Sequence, residues 1–245
     1  MNDALIKIQD LNAGYDGKIV LKDISLTIYK NDFLGIIGPN GGGKTTLIKV
    51  ILGLIRPYSG TIDYNDRSLK QNIGYMPQMN SIDRKFPILV KEVVESGLMT
   101  NKSLKKSERK EKVGRILEEI GMEAMANRPV GELSGGQWQR TLLGRAIISD
   151  PGLLILDEPN SYIDKQFENH FYQSLQEINK KTAIVLISHD VGALISLVRN
   201  VACVNETLHY HPGSDVDNEW LEEHFDCPLE IVGHGDIPHR VLKKH

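Results

Sequence analysis

An unbroken apolar run, Phe33-Leu34-Gly35-Ile36-Ile37, leads straight into Gly38-Pro39-Asn40-Gly41-Gly42-Gly43-Lys44-Thr45, and from Lys44 to Leu54 the chain is again apolar, in the manner of a helix. Five apolar residues without alternation suit a strand buried on both faces, and such strands belong to parallel sheets covered by helices. The loop between strand and helix has the pattern G-x-x-x-x-G-K-[ST]. Its glycines let successive backbone N–H groups turn inward on phosphate oxygens, the following helix adds the positive end of its dipole, and Lys44 supplies a point charge for β and γ phosphates. Gly38, Pro39, Asn40, Gly41, Gly42, Gly43, Lys44, Thr45 and Thr46 are therefore candidate nucleotide-binding residues, with Thr45 placed to ligate Mg²⁺.

The same α/β grammar returns later. Leu153-Leu154-Ile155-Leu156 reads as a strand, Phe167, Phe171, Leu175 and Ile178 as a helix stripe, Ala183 to Ile187 as a strand and Val191 to Val198 as a helix. Ahead of the glycine loop, Leu5 to Ile8 and the alternating Ile24 to Ile28 predict short antiparallel strands separated by turns at Gly14 and Gly17. Between the two α/β portions, about Val90 to Ile148, the pattern is helical, with Val113, Ile116, Leu117 and Ile120 on one stripe and Trp138, Leu142, Arg145 and Ala146 suggesting another helix. A helical block interrupts an α/β core.

A nucleoside triphosphate also needs a carboxylate on its magnesium side and a group that activates water. Asp157 and Glu158 stand at the C-terminal end of the Leu153 strand, the edge at which ligands collect in open α/β sheets. Asp157 is expected to hold Mg²⁺ directly or at one remove, and Glu158 is the candidate general base. His189 follows the Ala183 strand by two residues and is expected at the same edge as a γ-phosphate sensor. Leu133-Ser134-Gly135-Gly136-Gln137 precedes a helix and offers a second anion-binding turn, or else a plain helix cap. One γ-phosphate seldom needs two separate helix N-termini, so the second turn hints at a nucleotide held by another chain.

Composition narrows the class. The chain has 245 residues, 40% hydrophobic and 25% charged, with a formal charge of −3. A slightly acidic balance argues against a nucleic-acid footprint. No run approaches the ~18 apolar residues of a membrane-spanning helix, and Met1 to Leu11 lacks the basic start and apolar stretch of a signal peptide, so a cytosolic placement is expected. Two cysteines, Cys203 and Cys227, make no framework. Six of the eight histidines, from His209 to His245, fall in the last 37 residues.

Taken together these motifs resemble the ATP-binding-cassette (ABC) ATPases over about residues 3 to 205. The resemblance implies an N-terminal antiparallel β subdomain, a P-loop NTPase core of RecA type and an inserted helical subdomain at about 88–148, giving an ATPase domain over 1–205 followed by a small C-terminal extension over 206–245. The phosphate loop resembles the family's Walker A, Leu133 to Gln137 its signature motif, and Leu153 to Glu158 its Walker B. Gln78, in Gly74-Tyr75-Met76-Pro77-Gln78, sits where the family's Q-loop glutamine links Mg²⁺ to the helical subdomain. Asp164 resembles the D-loop aspartate and His189 the switch histidine. Asn160 and Tyr162 depart from the commoner D-loop pattern, which leaves its contacts with the opposing cassette less defined. Tyr15 stands where the family stacks adenine, with strand packing as the alternative. The family mechanism implies two cassettes packed head to tail, each ATP between one chain's Lys44 loop and the other's Ser134, Gly135, Gly136 and Gln137.

The resemblance further implies partners: integral-membrane permease subunits, docked along the segment from Gln78 to about Thr100, and an extracytoplasmic solute-binding protein reached through them. Phe86-Pro87-Ile88-Leu89-Val90 is either part of that docking surface or ordinary core of the helical block. The basic run from Lys102 to Arg115 reads as a solvated helix face, with lipid headgroups as the alternative. The C-terminal stretches Leu208-His209-Tyr210-His211 and Cys227 to Leu242 look like the ends of ATPases serving bacterial zinc, manganese or iron(II) importers. Imidazole, thiolate and carboxylate suit such ions, yet the spacing contains no tight C-x-x-C or H-x-x-x-H pair. The tail therefore predicts either a regulatory metal site or packed and solvated side chains. Two further classes stay open: an importer ATPase for haem or a chelated metal, and a soluble ABC ATPase of DNA repair or translation. Only about 90 residues separate Lys44 from Ser134, too few for the long coiled coils of the repair proteins.

Overall fold

Asp16 and Gly17 both have positive φ, 49° and 78°, the backbone a two-residue hairpin turn needs to match the twist of its strands. They join β1 (Ala4–Tyr15) to β2 (Lys18–Tyr29), two antiparallel strands paired from Ala4↔Tyr29 to Tyr15↔Lys18. The computed structural model describes residues 3–78, 84, 86–101, 103–159, 165–188, 191–213, 220, 229–233 and 238–242, with 67, 165–170, 193, 229–233 and 238–242 described by backbone alone. These fall into two compact units, Met1–Lys70 with Asn179–His245, and Gln71–Ile178.

In the first unit β1 and β2 are longer than the apolar clusters alone predict, because register shifts along β1 let the chain bend and continue. A third strand, β4 (Ser59–Tyr64), pairs antiparallel with the other edge of β1. Its sequence, Ser-Gly-Thr-Ile-Asp-Tyr, leaves mostly exposed residues, so periodicity did not announce it. The expected buried strand is β3 (Phe33–Ile37), with every residue buried. It lies parallel between β7 (Ala183–Ile187) and β8 (Asn200–Asn205). Full burial of Phe33, Leu34, Ile36 and Ile37 contributes about 1.5–3 kcal/mol for each side chain.

Helix α1 (Lys44–Ile51) follows the glycine loop. It stops short of the expected Leu54 because Gly53 turns left-handed at φ 71° and Leu54 N bonds back to Lys49 O. The short α2 (Arg67–Gln71) and α7 (Val191–Ile195) also belong to this unit, α2 running one residue into the next. The composition shift near Asn205 falls at a tight turn. Glu206 has φ 57°, and β9 (Thr207–Pro212) returns antiparallel along β8 from Asn205↔Thr207 to Asn200↔Pro212. Further on, β10 (Leu229–Gly233) and β11 (Pro238–Leu242) form a hairpin.

The second unit holds β5 (Ile73–Met76), paired in parallel with β6 (Leu153–Asp157). Between them lie α3 (Val90–Ser96), α4 (Lys106–Glu119) and α5 (Gly135–Ile147), with 3₁₀ turns at Glu123–Met125 and Val130–Glu132. Of the predicted stripes, Val113, Leu117, Ile120, Trp138, Leu142 and Ala146 are buried and Ile116 and Arg145 half-buried; Val90 and Val94 of α3 are buried as well. Helix α6 (Lys165–Asn179) runs to the end of the unit, and its last residue belongs to the first. There, within the first unit, the buried Asn179 amide donates to Asn31 O, Asp32 O and Thr182 O at 3.3, 2.9 and 3.1 Å. Among the described residues no helix is long and apolar enough to cross a membrane.

Candidate nucleotide site

The glycine loop begins where β3 ends. Gly38 has φ 147°, and a Cβ there would stand 2.1 Å from Val204 O; Gly43, at φ 103°, caps α1, and a Cβ would meet Leu21 Cδ2 at 2.5 Å. Both positions demand glycine for conformation and for space. The carbonyl of Val204 thus lies directly against the loop, and Glu206 N donates to Gly42 O at 2.9 Å while Glu206 O accepts from Lys22 N at 2.7 Å. Lys22 Nζ also pairs with the Glu206 carboxylate at 2.7 Å.

Lys44 is buried at 6% exposure, and its ammonium donates to Gly38 O at 2.8 Å and Pro39 O at 2.9 Å. These bonds hold the cation against the loop. The loop's alternation of buried and exposed positions leaves Asn40, Gly41 and Thr45 exposed, with Gly42, Gly43 and Thr46 buried. A loop with no room for side chains on its inner face, one buried cation and a hydroxyl at a helix N-terminus suits a phosphate chain with its magnesium. Cys203, within β8, is fully buried; burial pushes its thiol up to about 12 although the Lys44 charge pulls the other way. Tyr15, 42% exposed at the end of β1, has the Lys49 ammonium 5.6 Å from its ring centroid and 3.4 Å from its hydroxyl. It is a presented ring, not one packed into the core.

In the second unit, β6 delivers Asp157 and Glu158. Asp157 is buried at 6% exposure, and the Tyr75 hydroxyl donates to its Oδ2 at 3.4 Å. Burial, and then the Asp157 charge, pushes the Tyr75 phenol up to about 12, so it stays a donor. Glu158 departs from the strand with φ 48°, a left-handed conformation that costs a non-glycine residue about 1–3 kcal/mol. Its carboxylate accepts from Gln78 Nε2 at 2.7 Å. A left-handed backbone at a hydrogen-bonded carboxylate is the kind of outlier that concentrates at functional positions.

Ser134 caps α5: its Oγ accepts from Gln137 N at 3.3 Å, and Gln137 Oε1 accepts from Ser134 N at 2.9 Å. The reciprocal pair fixes the turn Ser134-Gly135-Gly136 at the helix N-terminus. Gln139, buried at 2% exposure, donates to Pro159 O at 3.2 Å and ties α5 to the residue after Glu158. Tyr75 and Gln139 were not singled out from sequence. A glutamine on the apolar stripe beside Trp138 and Leu142 was the available signal for Gln139.

The structure thus brings together the loop residues Gly38 to Thr46 in one unit, and Gln78, Asp157 and Glu158 in the other. His189 and Asp164 lie outside the described residues, as do Asn160, Tyr162, His224, Cys227 and His234. In the tail, His209 Nε2 lies 3.3 Å from Thr207 Oγ1, and the His211 ring meets Trp220 edge-on at 5.1 Å. Among the described residues no group of three His, Cys, Asp or Glu side chains could hold a metal ion.

Comparison with known proteins gives a consistent picture. The family described as ABC transporter matches residues 21–161. The zinc uptake system ATP-binding protein ZurA of Listeria innocua is 36% identical over 242 residues, covering 93% of this chain and 92% of the relative. The zinc import ATP-binding protein ZnuC of Wolbachia sp. subsp. Brugia malayi is 36% identical over 229 residues, covering 92% and 90%. Among solved structures, a chain from an inward-facing transporter assigned to the metal-chelate ABC type superposes with a TM-score of 0.82 at 24% identity, covering 99% of this chain and 97% of the other.

Proposed function

The chain belongs to the ABC transporter family as an ATP-binding subunit, and from that premise we propose that it is the ATP-hydrolysing motor of a membrane importer for a divalent transition metal, zinc foremost. The observation that carries the metal reading is the length of the likeness to a zinc-uptake ATPase, which extends over 93% of this chain.

The residues divide the work. Lys44, with the N–H groups of the Gly38–Gly43 loop, binds and orients the β and γ phosphates, while Tyr15 presents its exposed ring to the base. Thr45 and Asp157 would hold Mg²⁺, which supplies charge neutralisation on the phosphates when bound. Glu158 takes a proton from the attacking water at its carboxylate oxygen, and the Tyr75 hydroxyl keeps Asp157 oriented. Gln78 links this chemistry to the helical block, and His189 holds the γ-phosphate.

Ser134, Gly135, Gly136 and Gln137 serve the nucleotide of a second copy, with Asp164 at the same junction. A turn fixed by its own capping pair presents a rigid, electropositive edge for that purpose. ATP then bridges two cassettes, and hydrolysis releases them. A motor of this kind works at the cytoplasmic face of the membrane through permease subunits, which receive the metal from an extracytoplasmic binding protein.

The test is ATP turnover by the reconstituted assembly of this chain with its permease, comparing zinc-, manganese-, iron- and haem-loaded binding proteins. Stimulation by zinc above the others is expected. Stimulation by none of the metal-loaded proteins overturns the metal reading.

A further inference from the structure

Residues 88–91, at the start of α3, are zipped to residues 126–130, shortly before Ser134. Val130 N donates to Ile88 O at 3.0 Å, Val90 N to Arg128 O at 3.1 Å and Lys91 N to Ala126 O at 3.0 Å, around the bridge between Leu89 and Pro129. Lys91 Nζ adds a bond to Asn127 Oδ1 at 2.7 Å. Arg84, six positions after Gln78, closes the zip at its Ser134 end. Its guanidinium donates to Val130 O, at 3.2 Å from Nη2, and to Leu133 O. It also lies over the Trp138 ring, 5.9 Å from the centroid.

The two ends of this contact are functionally different. Leu133 immediately precedes the N-cap Ser134, and Trp138 stands in the first turns of α5. A cationic donor makes a stronger bond to a carbonyl than a neutral one, and a planar fork that reaches two carbonyls while lying over an indole is not reproduced by an ammonium. Arg84 therefore connects its own position to the carbonyl of the residue directly before the Ser134 turn.

We propose that Arg84 is a positioning residue for Ser134-Gly135-Gly136, coupling the placement of the segment after Gln78 to the turn that closes on the second copy's nucleotide. The inference rests on the proposed head-to-tail pairing of cassettes. Arg84 has no role in the phosphate loop, so its removal leaves the first binding event intact and weakens closure of the pair.

The test compares Glu158→Gln with Glu158→Gln/Arg84→Met and Glu158→Gln/Arg84→Lys, each mixed with ATP and Mg²⁺ and followed by sedimentation, with a fluorescent ATP analogue reporting binding to the monomer. Glu158→Gln is expected to dimerise. Adding Arg84→Met should raise the dimer dissociation constant at least about tenfold while analogue affinity stays within about twofold, with Arg84→Lys between. If Glu158→Gln binds ATP and stays monomeric, the pairing itself fails and this inference with it. If Glu158→Gln dimerises and the Arg84→Met double variant dimerises as tightly, Arg84 alone is overturned. Should melting curves show the Met variant unfolded, equal dimerisation by the Lys variant overturns the role of the two-carbonyl fork.

Discussion

The amide of Gln78 donates to the carboxylate of Glu158 at 2.7 Å. One residue precedes the helical block and the other is the proposed base, so the contact joins the part of the chain that would sense a permease to the part that would activate water. While Gln78 donates to Glu158 it stabilises the carboxylate as an acceptor, and any pull on Gln78 is felt at the base. Gln78→Ala should therefore lower turnover and also uncouple it from the permease, measured as loss of stimulation in the reconstituted assembly.

Glu158→Gln retains ATP binding and loses about 10²–10⁴-fold in turnover, the range that a positioned proton acceptor contributes. Pre-steady-state phosphate release measures it. Unchanged turnover would remove Glu158 from the role of general base.

Gly38→Ala places a Cβ 2.1 Å from Val204 O at a backbone of φ 147°. The backbone carbonyl has no side-chain freedom with which to yield. A stability loss of about 1–3 kcal/mol and loss of detectable nucleotide binding are expected, read by urea titration and by calorimetry.

Tyr15→Ala weakens ATP binding by about 1–3 kcal/mol, the value of one base stacked on an aromatic ring. Tyr15→Phe restores it, because the ring face and not the hydroxyl meets the base. Equal affinity for all three proteins sinks the stacking role.

The Cys203 thiol gives a pH prediction. Its pKa rises to about 12 in the folded protein through burial, against about 8.5 in an unfolded chain. A raised value favours the protonated form on folding, so this contribution to stability is complete below about pH 8.5 and is lost as pH climbs toward 12. The stability advantage of wild type over Cys203→Ala, measured in urea at pH 7.5, should shrink by pH 10.5. A constant difference would show that the thiol is not shielded.

The nucleotide loop was legible from sequence because its chemistry is local: Gly38 to Thr45 needs only a strand before it and a helix after it. β3, β6 and β7 were legible for the same reason, being apolar without interruption. β4 was not, since Ile62 is its one aliphatic residue and its pairing partner, β1, lies some fifty residues earlier. The Gln78–Glu158 and Tyr75–Asp157 contacts join residues about eighty positions apart, and no spacing rule encodes such a bond. Arg84 was hidden differently. Its charge blends with ordinary surface cations, and only the positions of the Val130 and Leu133 carbonyls give it meaning.

The turn at Glu206 bears on how this protein can be cut. Composition invites a truncation after Asn205, which would separate a well-patterned enzyme from a histidine-rich tail. Such a cut would remove the N–H that meets Gly42 O, the carboxylate on Lys22 and the whole of β9. A tailless protein made that way would report a damaged phosphate cradle as if it were the effect of losing histidines. Any shortened version meant to isolate the tail's contribution has to keep the hairpin and end beyond Gly213.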